Sequence, residues 1–139
     1  MIVDTSAVIA IVNDEPEAER FSGAIAADQR PAMSVVNCVE AGVVVDAARD
    51  PVMSRKLDDL MRVLSIEVVP VSVGQGMAAR MAYRDFGRGS GHPARLNFGD
   101  CFAYALAKER DEPLLFKGND FAATDVAAAA ANPSAPDTD

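Results

Sequence analysis

Met1-Ile2-Val3-Asp4-Thr5-Ser6-Ala7-Val8-Ile9-Ala10-Ile11-Val12 is the stretch from which the fold class is read. Ile2-Val3 has the character of a short buried strand. Asp4-Thr5-Ser6 interrupts it with residues that favour helix caps, and Ala7 to Val12 continues as an apolar helix. Downstream the same alternation recurs. Asn13-Asp14-Glu15-Pro16 signals a helix start, with Phe21, Ala24 and Ile25 as its stripe. Pro31 stops that helix, and Ala32-Met33-Ser34-Val35 reads as a second strand. Val36, Val39, Val43, Val44 and Ala47 follow at helical spacing. Asp50-Pro51 opens another helix carrying Leu57, Leu60, Met61 and Leu64. Ile66 to Pro70 is a strand, and Ser72 caps a helix bearing Val73, Met77 and Met81. Residues 87–93 are glycine-rich loop, residues 98–110 helix, Pro113 to Phe116 strand, and Lys117-Gly118-Asn119-Asp120 a turn. Short apolar strands between longer helices predict a three-layer α/β/α sandwich with a mainly parallel sheet. The domain is expected to span residues 1–126, with 127–139 as a flexible tail.

The chain has 139 residues, half of them apolar and 24 % charged. That is about one domain and excludes a disordered or fibrous protein. No apolar run approaches the ~18 residues of a membrane helix, and an acid at position 4 does not suit a signal peptide. The expected location is the cytoplasm, with Cys38 and Cys101 as reduced, packed thiols. A net charge of −8 argues at face value against nucleic acid. Between residues 80 and 95, however, Arg80, Arg84, Arg88 and Arg95 face Asp85 alone.

In a parallel sheet, sites form at the carboxyl ends of the strands. Asp4 follows the first strand there and Asp120 follows the last. Asp100 falls in the first turn of the helix before that last strand, and Glu40 interrupts the valine stripe. Singly, Asp4 and Asp100 read as helix caps, Asp120 as a turn residue and Glu40 as an edge acid. Jointly, four acids with only Lys117 nearby would force protonation or recruit a cation. An all-oxygen cluster without His or Cys suits Mg²⁺ or Mn²⁺ rather than zinc. Such an ion polarises a phosphoryl oxygen and acidifies a bound water.

Four blocks resemble the ordered motifs of PIN-domain ribonucleases, and of VapC toxins in particular. They are Met1 to Ala7, Val35-Val36-Asn37-Cys38-Val39-Glu40, Asn97 to Ala107, and Leu114 to Phe121. The resemblance implies that Asp4 and Asp100 hold the metal, with Glu40 and Asp120 completing the cluster partly through waters. It implies support of Asp4 by Thr5 or Ser6, and Asn119 beside the site. It further implies Mg²⁺-dependent endonucleolytic cleavage of RNA, a homodimer, and inhibition by a cognate antitoxin. An acidic cleft of this kind predicts a basic inhibitory segment in that antitoxin. Asn37 stands where the family commonly has Thr or Ser. A closing strand is expected near Thr124-Asp125-Val126, with Asp125 as a candidate further acid. Arg80, Arg84 and Arg88, at i, i+4 and i+8, are either a solvated helical face or a path for the RNA backbone. The loop 87–91 suggests a flap, with His92 a loop residue.

Three alternatives fit parts of this pattern. A structure-selective DNA nuclease of the same fold is the alternative within the nuclease class. A receiver-type signalling module would need adjacent acids after the first strand, where Asp4-Thr5-Ser6 stands. A phosphatase with an aspartate nucleophile would need an acid at Ser6.

Overall fold

The computed structural model describes residues 1–129. Its elements in chain order are β1 (Ile2–Val3), α1 (Thr5–Val12), α2 (Ala18–Ala27), β2 (Ala32–Ser34), α3 (Val35–Asp46), α4 (Pro51–Val63), β3 (Glu67–Val69), α5 (Val73–Phe86), α6 (Phe98–Arg110) and β4 (Leu114–Leu115). A 3₁₀ turn, Phe121–Ala123, follows β4. Two of the expected helix starts carry their caps. Asp50 accepts from Val52 N–H and Ser72 from Gln75 N–H, each satisfying an orphan donor of a first turn.

All strands pair in parallel, in the order β3-β2-β1-β4. Successive residues of a strand point to opposite faces, and the two central strands show it. Val3 and Leu115 join one core with α1–α4, against Phe21, Ile25 and Met33. Ile2 and Leu114 join the other with α5 and α6, against Leu96, Leu106 and Phe116. The sheet is thus covered on both faces, as the expected three-layer sandwich requires. Receiver domains place the first strand between the second and third. Here β1 lies between β2 and β4, and the receiver alternative fails on topology. Among the described residues, no helix is long and apolar enough to cross a membrane.

Several expectations are corrected. The second helix starts at Ala18 rather than at Pro16. Asp14 takes a left-handed φ of 50°, and Glu17 is the cap. The stripe Val36/Val39/Val43/Val44 is not the buried face of α3. Asn37, Ala41 and Val45 are buried, while Val43 is 65 % exposed. In α5 likewise Gln75, Ala79 and Ala82 are buried and Val73 is 85 % exposed. Both helices press small residues close to their neighbours and leave large apolar ones outside. Arg88 lies in the loop beyond α5, where its N–H bonds Leu96 O, so only Arg80 and Arg84 share the helix. The closing strand is a single parallel bridge at Ala128 beside Leu114, not at 124–126. Of the expected tail, residues 127–129 therefore pair with the sheet, and 130–139 lie outside the described residues.

Candidate active site

The strand order reverses between β1 and β4, with β2 and β3 to one side of β1 and β4 to the other. That reversal is where open α/β sheets form their sites. Asp4 stands at the carboxyl end of β1 and caps α1 through Ser6 N–H (2.9 Å). Ser6 Oγ also donates to the same carboxylate oxygen (2.6 Å) and accepts from Lys117 N–H at the end of β4 (2.9 Å). Ser6 therefore ties the two strand ends together and orients Asp4. Thr5 does otherwise: its hydroxyl donates to Asn37 O (3.1 Å).

Asp100 occupies the third position of α6 in a capping box. It accepts from Asn97 N–H (3.0 Å) while Asn97 accepts from Asp100 N–H (2.9 Å). The cap readings of Asp4 and Asp100 are thus correct, and they do not compete with a site. The charge of Asp4, so capped, is felt at Asp100. Asn37 joins the helices that carry them. Its Nδ2 donates to Gly99 O (2.9 Å), and its own carbonyl receives Thr5. Glu40, one turn along α3, lies against the first turn of α6, where a Cβ added at Gly99 would overlap its carboxylate.

The electrostatics show how far the acids converge. Burial, with the Glu40 charge adding, pushes the Asp4 carboxyl up to about 6. Burial pushes Asp100 up to about 7, aided by the charges of Asp4, Asp120 and Glu40. All four acids thus press on a common site at the carboxyl edge of the sheet. Lys117 does not neutralise them, because it is held by Glu15 (2.5 Å) and Glu17 (3.2 Å). Asp120 and Asn119 lie exposed in the turn after β4. Asp125 is elsewhere: it accepts from Tyr104 Oη (2.5 Å) and pairs with Lys108 (3.1 Å). His92 is a loop residue whose Nδ1 accepts from Ala94 N–H. Cys38 and Cys101 are free thiols, both pushed up by burial, Cys101 to about 11.

Asp4 is only 2 % exposed, and its Oδ1 is a buried acceptor without a donor among the described residues. A buried carboxylate oxygen without a partner is costly. A cation is what would satisfy it amid like charges. Among the described residues no group of three or more His, Cys, Asp or Glu side chains stands close enough together to hold a metal ion, so an ion bound here would take one or two carboxylates and complete its shell with water, as Mg²⁺ can. The donor set fits such an ion.

Residues 1–127 match the family model of the PIN domain. Ribonuclease VapC28 of Mycobacterium tuberculosis is 55 % identical over 126 residues, covering 91 % of this chain and 95 % of its own. The chain belongs to the PIN-domain family, in its VapC group. Another PIN relative, Ribonuclease VapC of Mycolicibacterium smegmatis, is 47 % identical over 92 % of this chain and 98 % of its own. Two solved structures share the PIN fold at low identity. The Mycobacterium tuberculosis VapC20, a sarcin-ricin loop cleaving toxin, gives a TM-score of 0.72 at 14 % identity, over 92 % of this chain and 97 % of that one. A toxin-antitoxin complex from Klebsiella pneumoniae gives 0.64 at 16 %, over 96 % and 95 %.

The approach of Glu40 to Gly99 supplies a test within this PIN site. Gly99→Ala adds one methyl at the second position of α6, and the atoms it would overlap belong to the flexible far end of Glu40. The variant should stay folded and lose RNA cleavage about as severely as Glu40→Gln. Paired thermal melts and cleavage rates check both halves.

Proposed function

We propose that this chain is the toxin of a toxin–antitoxin pair, acting in the cytoplasm as a divalent-metal-dependent endoribonuclease. The observation that carries the reading is the buried, donorless Asp4 Oδ1 amid three further acids at the reversal point of the sheet. The family membership and the relatives named ribonuclease support it. Asp4 and Asp100 would hold Mg²⁺ or Mn²⁺, with Glu40 and Asp120 acting through water and Asn119 beside them. The ion would polarise a phosphoryl oxygen and supply an activated water. Ser6 fixes the rotamer of Asp4, and the Asn97 cap fixes that of Asp100, so both carboxylates need no rearrangement when RNA arrives. Glu40 or Asp120 would take the proton from the attacking water.

Two partners follow from the same features. The acid cluster, left without a cation of its own, supports an antitoxin whose basic segment supplies a guanidinium or ammonium group. The exposed valines of α3, Val39, Val43 and Val44, support assembly with a second copy. Arg80 and Arg84 lie on the RNA path in this reading. Replacing both with alanine should flatten the log–log salt dependence of single-stranded RNA binding by about 0.7 for each phosphate the pair neutralises. Unchanged slope and affinity at low salt would return them to a solvated face.

The direct test in cells is induced expression followed by sequencing of accumulating RNA 5′ ends. Discrete new ends are expected with the wild type and none with Asp4→Asn. Identical ends from both proteins would refute the reading.

A further inference from the structure

The chain has eight aromatic residues, and no row of them is visible along the sequence. The fold nevertheless gathers three. Between α5 and α6 runs a groove of about 280 Å³, walled by Gly76, Arg80 and Tyr83 on one side and by Phe98 and Phe102 on the other. Phe98 and Phe102 meet edge to face with centroids 5.0 Å apart. Phe98 is 71 % exposed although it opens the helix that carries Asp100 two residues later. A large ring left in water at that position does nothing for the core. Beyond Arg80 and Tyr83 a second hollow of about 270 Å³ continues over Met77, Met81 and Arg84.

One end of the groove lies beside the start of α6, the helix that carries Asp100 on its other face. Gln75, near the start of α5, bonds Glu109 near the end of α6 (2.5 Å), so the two helices run antiparallel. The far end of α5 therefore reaches the first turn of α6, where Asp100 sits. Arg80 forms no ion pair among the described residues, and Arg84 meets only its neighbour Asp85 (2.9 Å). A second copy docked symmetrically on this groove would bring two sets of Arg80 and Arg84 together. A basic segment would be repelled by Arg80, whose charge no carboxylate among the described residues pairs. A polyanion with flat apolar faces suits both the charge and the rings, and unpaired nucleobases stack on aromatic side chains and on arginine planes.

We propose that this groove holds an unpaired base of single-stranded RNA, stacked against Phe98 and Tyr83, with Arg80 on the adjoining phosphate. A strand that passes from the groove around the N-terminus of α6 then brings a neighbouring phosphodiester to the acids on the helix's other face. The inference rests on the ribonuclease reading above and names the part of the substrate that the site grips.

The test is fluorescence anisotropy with a labelled random-sequence RNA octamer in EDTA, so that no strand is cut, alongside the same backbone made abasic. Phe98→Ala should weaken binding of the base-bearing octamer about tenfold or more and leave the abasic one unchanged, while Phe98→Trp preserves binding. Should Phe98→Ala fold poorly, Gly76→Leu gives an independent reading. A Cβ at Gly76 meets nothing within 4 Å, so the added side chain fills the groove from the opposite wall. The same selective loss is expected. Equal losses for both RNAs, or none, overturn the proposal. So does a Phe98→Ala protein that splits a dimer in sedimentation while binding RNA normally. Cleavage in Mg²⁺ separates the two readings. A wild type that binds bases selectively without cutting RNA supports the groove and refutes the nuclease. A Phe98→Ala protein that cuts with unchanged KM overturns the groove alone.

Discussion

If Asp4 and Asp100 hold the cation as proposed, Asp4→Asn and Asp100→Asn should each lower metal-dependent RNA cleavage by roughly a thousandfold or more, since several kcal/mol of transition-state stabilisation would depend on that ion. The substitutions are nearly isosteric, and asparagine still accepts a hydrogen bond. At position 4 it can receive Ser6 N–H and at position 100 Asn97 N–H, so both helix caps persist. What disappears is charge. Glu40→Gln and Asp120→Asn should be milder, about ten- to a hundredfold, if they act through water on the ion's surroundings. The measurement is an initial rate on a defined RNA across a Mg²⁺ series. Near wild-type turnover by Asp4→Asn at low metal would sink the mechanism.

The second large effect is on stability, and it runs against the usual behaviour of acids. In the folded, metal-free protein the Asp4 and Asp100 carboxyls titrate near 6 and 7, against ~3.9 in an unfolded chain. Between those values the folded state binds more protons than the unfolded one. The contribution of this pair to stability therefore falls as pH rises from about 4 to about 7, and stays low above. Glu17, Asp85 and Asp125, whose carboxyls are held below the usual range by a hydrogen-bonded backbone, Arg84 and Tyr104 respectively, slope the other way. They are unchanged in an Asp100 variant, so the difference between proteins isolates the site. Asp100→Asn should melt higher than wild type in EDTA at pH 8, with the gap closing toward pH 5. Mn²⁺ should stabilise wild type by ~2.7 kcal/mol at a hundred times its dissociation constant, more at pH 8 than at pH 6 because the ligands must lose protons. The variant should gain little. A wild-type melt indifferent to millimolar Mn²⁺, with Asp100→Asn destabilised in EDTA, would make Asp100 purely structural.

Much of this was readable in order along the chain, because the informative residues act locally. Ile2-Val3 and Leu114-Leu115 are strands bounded by residues that cannot continue them. Asp50 and Ser72 cap the helices they precede. Asp4 and Asp120 fall at strand ends once the strands are known. What the chain order hid was the pairing of distant residues. Lys117 follows the last strand, close to Asp120 in sequence, yet it is claimed by Glu15 and Glu17 some hundred positions away. The acid cluster is left more negative than its sequence neighbourhood suggests. Asp125 is likewise removed from the site by Tyr104 and Lys108.

Helix faces were misread for a different reason. In α3 valines occur on most sides, so spacing alone does not choose a buried stripe. The choice fell to Ala41, small enough for close packing, and to Asn37, whose amide has a carbonyl waiting at Gly99. The same holds for Ala79 and Ala82 in α5, which leaves Met77, Met81 and Tyr83 outside. The aromatic groove was invisible for want of tertiary information. Tyr83 and Phe98 are separated by a glycine-rich loop and line one groove only because α5 and α6 pack antiparallel.

The central claim is that the four acids make a metal site that cuts RNA. End-labelled single-stranded RNA and DNA of one sequence, each incubated with the protein in Mg²⁺ and again in EDTA, test it most directly. The expected result is internal cleavage of the RNA alone, present in Mg²⁺, absent in EDTA and absent with Asp4→Asn. RNA left whole in both Mg²⁺ and Mn²⁺, or cut as fast in EDTA, would contradict it.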